Sequence, residues 1–294
     1  MADTVFSSGF RFPEGPSFDK EGNLFIVELA RLCVTKIAPD GTSTVFATLG
    51  GSPTGSAFGP DGALYVCNGG GRWPPNESTD NQPGPVDSAS LIQRIAVDGS
   101  FSTLIAEIDG TPINSPNDIC FDNHGNFYFT DPVWPDAEGN VYPGTICYST
   151  TDGQAKRAHT GLLYPNGLAV SDDGGTLIVA ESLTGKLQAF PILAPGELGE
   201  PREYGFLGEG SIPDGMAFDS EGRLLCAGHG TSRFHVFPPG GGEKEEQLVF
   251  EDAEVSNICF GGPNFSTLYI TQSGKGRVVT HEWKVPGMRL FPDR

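Results

Sequence analysis

Basic residues are scarce in this chain: 18 Lys and Arg stand against 37 Asp and Glu, a net charge of −19 over 294 residues. That deficit argues against nucleic acid and against an anionic membrane surface as partners, because phosphates would be repelled, and it favours cations. No apolar stretch approaches the ~20 residues of a membrane span. The opening MADTVFSSGF has neither the basic nor the apolar region of a secretory leader, so a cytoplasmic location is expected. The six cysteines (33, 67, 120, 147, 226, 259) form no CxxC pair and show no metal-type spacing. Four lie inside apolar runs, where reduced structural thiols are expected. There is no Gly-x-Ser-x-Gly elbow and no HExxH among the five histidines (124, 159, 229, 235, 281). The glycine runs 69–71 and 240–242 open neither a P-loop nor a dinucleotide fingerprint.

Turn formers are abundant instead: 41 Gly and 24 Pro suit an all-β chain better than a helical one. One pattern recurs six times. Glu14 to Glu28 (EGPSFDKEGNLFIVE) aligns without a gap with Thr54–Asn68 and Asn117–Asp131. Asn166–Glu181 fits with one inserted residue, Asp214–Gly228 is a fifth copy and Ser256–Ile270 a looser sixth. Each copy has an apolar segment, a turn rich in Asp, Asn and Gly, and a second apolar run of about four residues, the signature of a hairpin. Two further short segments follow, such as Val34–Ile37 and Thr44–Ala47 around Pro39-Asp40-Gly41. Four antiparallel strands in each of six units of roughly 49 residues describe a six-bladed β-propeller spanning residues 1–294 as one domain. The unbroken apolar runs fit blades stacked face to face. Thr4–Ser7 is expected to join Val278–Trp283 and close the ring.

In a propeller the first strand of each blade lines the central channel. The repeat therefore places Glu14, Thr54, Asn117, Asn166, Asp214 and Ser256 in one ring at one mouth. Four of these are strong oxygen donors. Pro precedes all four (13, 116, 165, 213), and Gly follows three (15, 167, 215), fixing the approach and letting the backbone pass close to its neighbours. The ends of the second strands, Glu28, Asn68, Asp131, Glu181 and His229, are expected as an outer ring. Two long connections, 69–90 and 132–144, should overhang this mouth, with Arg72, Trp73, Trp134 and Tyr142 as candidate pocket walls. Converging carboxylates and amides read as a hard-cation site: Ca²⁺ foremost, with Zn²⁺, Mg²⁺ or Mn²⁺ as alternatives.

Phe12-Pro-Glu-Gly-Pro16, Ser115-Pro-Asn-Asp118 with Phe129-Thr-Asp-Pro132, Tyr164-Pro-Asn-Gly-Leu168 and Pro213-Asp-Gly-Met216 together resemble the gluconolactonase/regucalcin/luciferin-regenerating-enzyme family along essentially the whole chain. The resemblance implies a six-bladed propeller with one divalent metal on its axis. It implies Glu14, Asn166 and Asp214 as metal ligands, Asn117 as a further ligand or a substrate contact, and Asp118 as support beneath them. It also implies Asp214 as general base. Regucalcin's basic residue two positions before the equivalent asparagine is Ser115 here, and the Ser-Pro-Asn-Asp form resembles the microbial gluconolactonase branch. The expected function is a metal-dependent lactonase acting on a sugar-acid or similar small lactone. A metal would offset charge on the carbonyl oxygen, and Asp214 would activate water. Asn117, Asp118, Arg72, Trp73, Trp134 and His229 are the expected substrate-binding residues. A phosphotriesterase-like hydrolase and a non-catalytic calcium- or ligand-binding propeller are the alternatives.

Overall fold

The computed structural model describes residues 4–71 and 89–293. Among these residues there is no helix, and six antiparallel blades of four strands surround one axis, the fourth blade carrying an added two-residue strand, Glu197–Leu198. Blade 1 runs Pro13–Phe18, Leu24–Glu28, Cys33–Ile37 and Ser43–Thr48 from channel to rim. The innermost strands of blades 2 to 6 are Pro53–Phe58, Ile119–Phe121, Pro165–Val170, Ile212–Phe218 and Val255–Gly261. Thr4–Ser8 pairs with Arg277–Glu282 as the outer strand of blade 6, so the first strand of the chain latches the last blade.

The core is divided into six wedges, one between each pair of neighbouring blades. Leu24 and Ile26 pack toward blade 6, while Phe25 and Val27 pack toward blade 2. Leu224 and Cys226 face blade 4, while Leu225 and Ala227 face blade 6. Successive side chains on a strand point to opposite faces, and here both faces meet another blade. This is why the second strand of each hairpin reads as a solid apolar run. All six cysteines are free, and five of them are buried.

The innermost strands run along the axis, so positions four residues beyond the polar ring form a second ring at the opposite mouth. Phe18, Phe58, Phe121, Val170, Phe218 and Phe260 occupy it, lining a cavity of about 120 Å³. The C-terminal segment closes this end. Met288 N–H donates to Phe218 O at 3.0 Å, Gly287 N–H to Phe265 O at 2.7 Å, and Met288 is buried. Access to the channel therefore differs at its two ends: one is sealed by apolar side chains, the other carries the polar ring.

Candidate functional site: an acid–amide ring at one mouth of the channel

A recurring bulge sets the ring side chains. The pairing of the first two strands of the blade shifts register between Glu14 and Ser17, Pro53 and Ser56, Pro165 and Leu168, Pro213 and Met216, and Val255 and Asn257. Bulges re-aim side chains, and the ring residue lies within this one in four of the five blades and immediately before it in blade 1. In blade 3 the regular strand starts only at Ile119, and Asn117 N–H is tied instead to Thr130 O at 2.9 Å. The structure brings Glu14, Thr54, Asn117, Asn166 and Asp214 into the lining of one cavity of about 450 Å³. Ser256, the sixth ring position, is fully buried and is occupied by Thr271 and Ser273 at 2.9 and 2.6 Å.

Glycine makes room for the layer beneath. A Cβ on Gly15 (φ 49°) would sit 2.6 Å from Ser56 N, one on Gly55 would strike Asp118, and one on Gly215 would strike Asn257. Four glycines (15, 55, 167, 215) thus leave the channel to two polar side chains, Asp118 and Asn257. Asn257 Nδ2 donates to Asp118 Oδ2 at 3.3 Å, and Ile119 N–H donates to Asp118 Oδ1 at 3.1 Å. Asp118 accordingly lies under the ring and does not line the cavity. Its neighbours there are Asn257 and the Ile119 backbone.

The electrostatics of the ring are those of an uncompensated acid pair. Burial, together with the Asp118 carboxylate, pushes Glu14 up to about 8, against hydrogen bonds from Ser256, Gly15 and Asn257. Burial, then repulsion from Glu14 and Asp118, raises Asp214 well above the usual carboxylate range. Burial lifts Asp118 to about 7. Among the described residues no Lys or Arg lines the cavity, and the nearest basic group to Asp214 is His229, with Nδ1 3.8 Å from Oδ2. Burial lowers the His229 pKa, which disfavours a counter-charge on its ring. Asn166 Oδ1 is buried with no hydrogen-bond partner. An orphaned carbonyl oxygen beside two buried carboxylates fits a hard divalent cation. Glu14, Asn166 and Asp214, with Asn117 beside them, are the residues that would hold it. Amides supply half of this set, and among the described residues no three His, Cys, Asp or Glu side chains form a metal-type cluster.

Trp134 and His229 line the cavity as expected. Trp134 packs edge-on against Tyr164 at 4.8 Å, and its Nε1 donates to Ser115 Oγ at 3.2 Å. Tyr142 does not join them: it is exposed on its loop, with its hydroxyl on Asp136 Oδ2 at 2.7 Å. Arg72 and Trp73 lie outside the described residues. The expected outer ring is a set of latches. Glu28, Asn68, Asp131 and Glu181 are buried, and each accepts from the backbone of the segment leading into its own inner strand. The donors are Arg11, Ser52, Asn114 with Ser115, and Leu163, each with a bond of 2.8 Å. His229 alone of that ring turns to the cavity.

The walls come from residues the repeat reading passes over: Phe12, Leu29, Tyr164, Leu183 and Ile212. Phe12, Tyr164 and Ile212 share a signal, since each stands two residues before a ring donor. Phe12 and Tyr164 hold φ of 54° and 58°, a left-handed conformation that is uncommon for bulky residues and clusters at functional sites.

A propeller with an acid–amide ring at the open mouth of its channel is the class these observations define. A family model for the SMP-30/Gluconolactonase/LRE-like region matches residues 12–274. The chain belongs to that family. It is 30% identical to the diisopropyl-fluorophosphatase of Loligo vulgaris, over 95% of this chain and 91% of the relative. It is 27% identical to the gluconolactonase of Zymomonas mobilis, over 92% of this chain and 78% of the relative. In fold it is similar to a luciferin-regenerating enzyme (TM-score 0.80, 18% identity, 98% of each chain). It is likewise similar to a calcium-binding regucalcin from Agrobacterium tumefaciens (TM-score 0.79, 18% identity, 100% and 97% of the chains).

Proposed function

We propose that this protein is a metal-dependent hydrolase that opens a small lactone. The observation that carries the reading is the convergence of Glu14, Asp214 and the unpartnered Asn166 oxygen in one cavity that, among the described residues, no Lys or Arg lines. The family and the gluconolactonase relative support it. A divalent cation, Ca²⁺ foremost, would when bound supply positive charge where the carbonyl oxygen becomes negative. Glu14 and Asn166 hold fixed positions beneath the substrate, and Asn117 orients the carbonyl or a ring oxygen. Asp214 takes the proton from a water whose oxygen bonds to the carbonyl carbon. The ring C–O bond then breaks, and Asp214 returns the proton to the departing alkoxide. The hydroxy acid that results loses its own proton to solvent. In the metal-free protein burial and Glu14 raise the proton affinity of Asp214 above the usual carboxylate range, the direction a general base needs.

The Loligo relative, matched along nearly its whole length, favours a second reading in which the same residues hydrolyse a phosphoryl ester or fluoride. Proton release from lactones and from phosphotriesters, followed with a pH indicator with and without chelator, separates the two. For the lactonase, Asp214→Asn should lower kcat by about 10²–10⁴-fold, and Glu14→Gln should weaken metal binding. Undiminished lactone turnover in both variants would refute this assignment. Metal binding with no turnover on either substrate class would leave a binding propeller.

A further inference from the structure

The walls of the cavity differ in character from its floor. Above the acid–amide ring stand Phe12, Leu29, Trp134, Tyr164, Leu183 and Ile212. Leu183 and Ile212 are 50% and 43% exposed at the rim, large apolar side chains left facing solvent beside a binding cavity. The wall groups able to hydrogen-bond are already engaged within the protein. Ser182 Oγ donates to Pro213 O at 2.7 Å, Thr54 Oγ1 to Asn117 O at 2.7 Å, and Trp134 Nε1 to Ser115 Oγ. The Tyr164 hydroxyl is hydrogen-bonded to Asn117. Among the described wall residues, His229 Nδ1 is the one buried polar atom left without a hydrogen-bond partner. Among the described residues no Lys or Arg lines the wall to hold an anionic group, and the chain carries a net charge of −19.

From this we infer that the substrate is a neutral lactone whose body is an aromatic or alkyl group. A polyhydroxylated sugar-acid ring does not match the wall. This rests on the lactonase reading above and narrows its substrate class. Each hydroxyl laid against this wall without a partner would weaken binding by on the order of tenfold, because it loses its hydrogen bonds to water. An aryl or alkyl body gains from the same contact.

The test compares δ-phenyl-δ-valerolactone with glucono-δ-lactone on the full chain with Ca²⁺, alongside calorimetric binding of the two matching lactams, which are not turned over. The expected result is at least ~100-fold higher kcat/KM for the phenyl lactone and the same order of preference between the lactams. Leu183→Gln and Ile212→Asn, both at the exposed rim, should raise KM for the phenyl lactone and shrink the preference to within ~10-fold while kcat holds. Brisk turnover with equal or greater preference for glucono-δ-lactone overturns the inference and leaves the lactonase reading standing. Absence of turnover on both lactones, with the phenyl lactam still bound in preference, overturns the lactonase reading and supports the apolar substrate class. Equal binding of the two lactams overturns the inference whatever the turnover.

Discussion

Asn257 Nδ2 reaches across the channel from blade 6 to Asp118 Oδ2 of blade 3, 3.3 Å away and 139 residues distant in sequence. The same amide also hydrogen-bonds Glu14. It therefore ties the deepest carboxylate to a member of the ring that faces the cavity. Asn257→Ala should leave both carboxylates short of a donor. Ca²⁺ affinity, read by calorimetric titration, is expected to fall by about 10–100-fold, as for partners that orient metal ligands. An unchanged affinity would show that Glu14 is held without it.

The buried acids predict an unusual pH dependence for the metal-free protein. Glu14 and Asp118 are raised to about 8 and about 7, and Asp214 is raised as well. A carboxyl whose folded pKa exceeds its unfolded one stabilises fully below the unfolded pKa and loses that stability as pH rises through the folded value. His229 and His235 act in the opposite sense, being held neutral, but only below about 6.5. Between about 6.5 and 8, Tm in chelator should therefore fall as pH rises, and saturating Ca²⁺ should flatten or reverse the slope. A metal-free Tm that climbs across this window contradicts the placement of the three acids.

Gly15 combines a φ of 49° with a would-be Cβ 2.6 Å from the Ser56 nitrogen, so both conformation and space oppose a side chain. Gly15→Ala should cost about 1–3 kcal/mol, the range for overpacking a filled site, as a lower urea midpoint at unchanged m-value. Gly22→Ala is the control for conformation alone, since it has positive φ but open space around it, and it should cost less.

The far mouth is sealed by contacts of the C-terminal segment. Met288 packs with Phe218 and Phe237 in the wedge between blades 4 and 5. Met288→Ala should destabilise by about 2–5 kcal/mol, as for other buried methionines. It should raise binding of a hydrophobic dye without altering Ca²⁺ affinity, because Met288 belongs to the opposite end of the channel from the acid–amide ring. Loss of Ca²⁺ affinity in a folded Met288→Ala protein would show that the two mouths are coupled.

Much of this molecule is legible in its residues. The sixfold phase gives the propeller, and the phase of Glu14 gives the ring that lines the cavity. Two misreadings have physical causes. Glu28, Asn68, Asp131 and Glu181 share a phase that ends near the same mouth, yet each turns to bind backbone N–H groups of its own blade. A buried amide donor needs an acceptor, and a periodic pattern does not show which donors lie within reach. Tyr142 sits on a connection of the expected length, but its hydroxyl is held by Asp136 on the same loop.

The sequence by itself determined the hairpin, its sixfold repetition and the residue type at each repeat phase. These are local properties, set by alternation along a strand and by the turn residues between strands. Only the tertiary structure decided what each phase meets. Asp118 and Asn257 share the channel because Gly15, Gly55, Gly167 and Gly215 vacate it on the other four blades. Phe12, Tyr164 and Ile212 become a wall because the blades bring three separate approach segments around one cavity. Such relations depend on which residue another blade places opposite, 41 positions away for Gly15 and Ser56 and 139 for Asp118 and Asn257, and no local pattern encodes that distance.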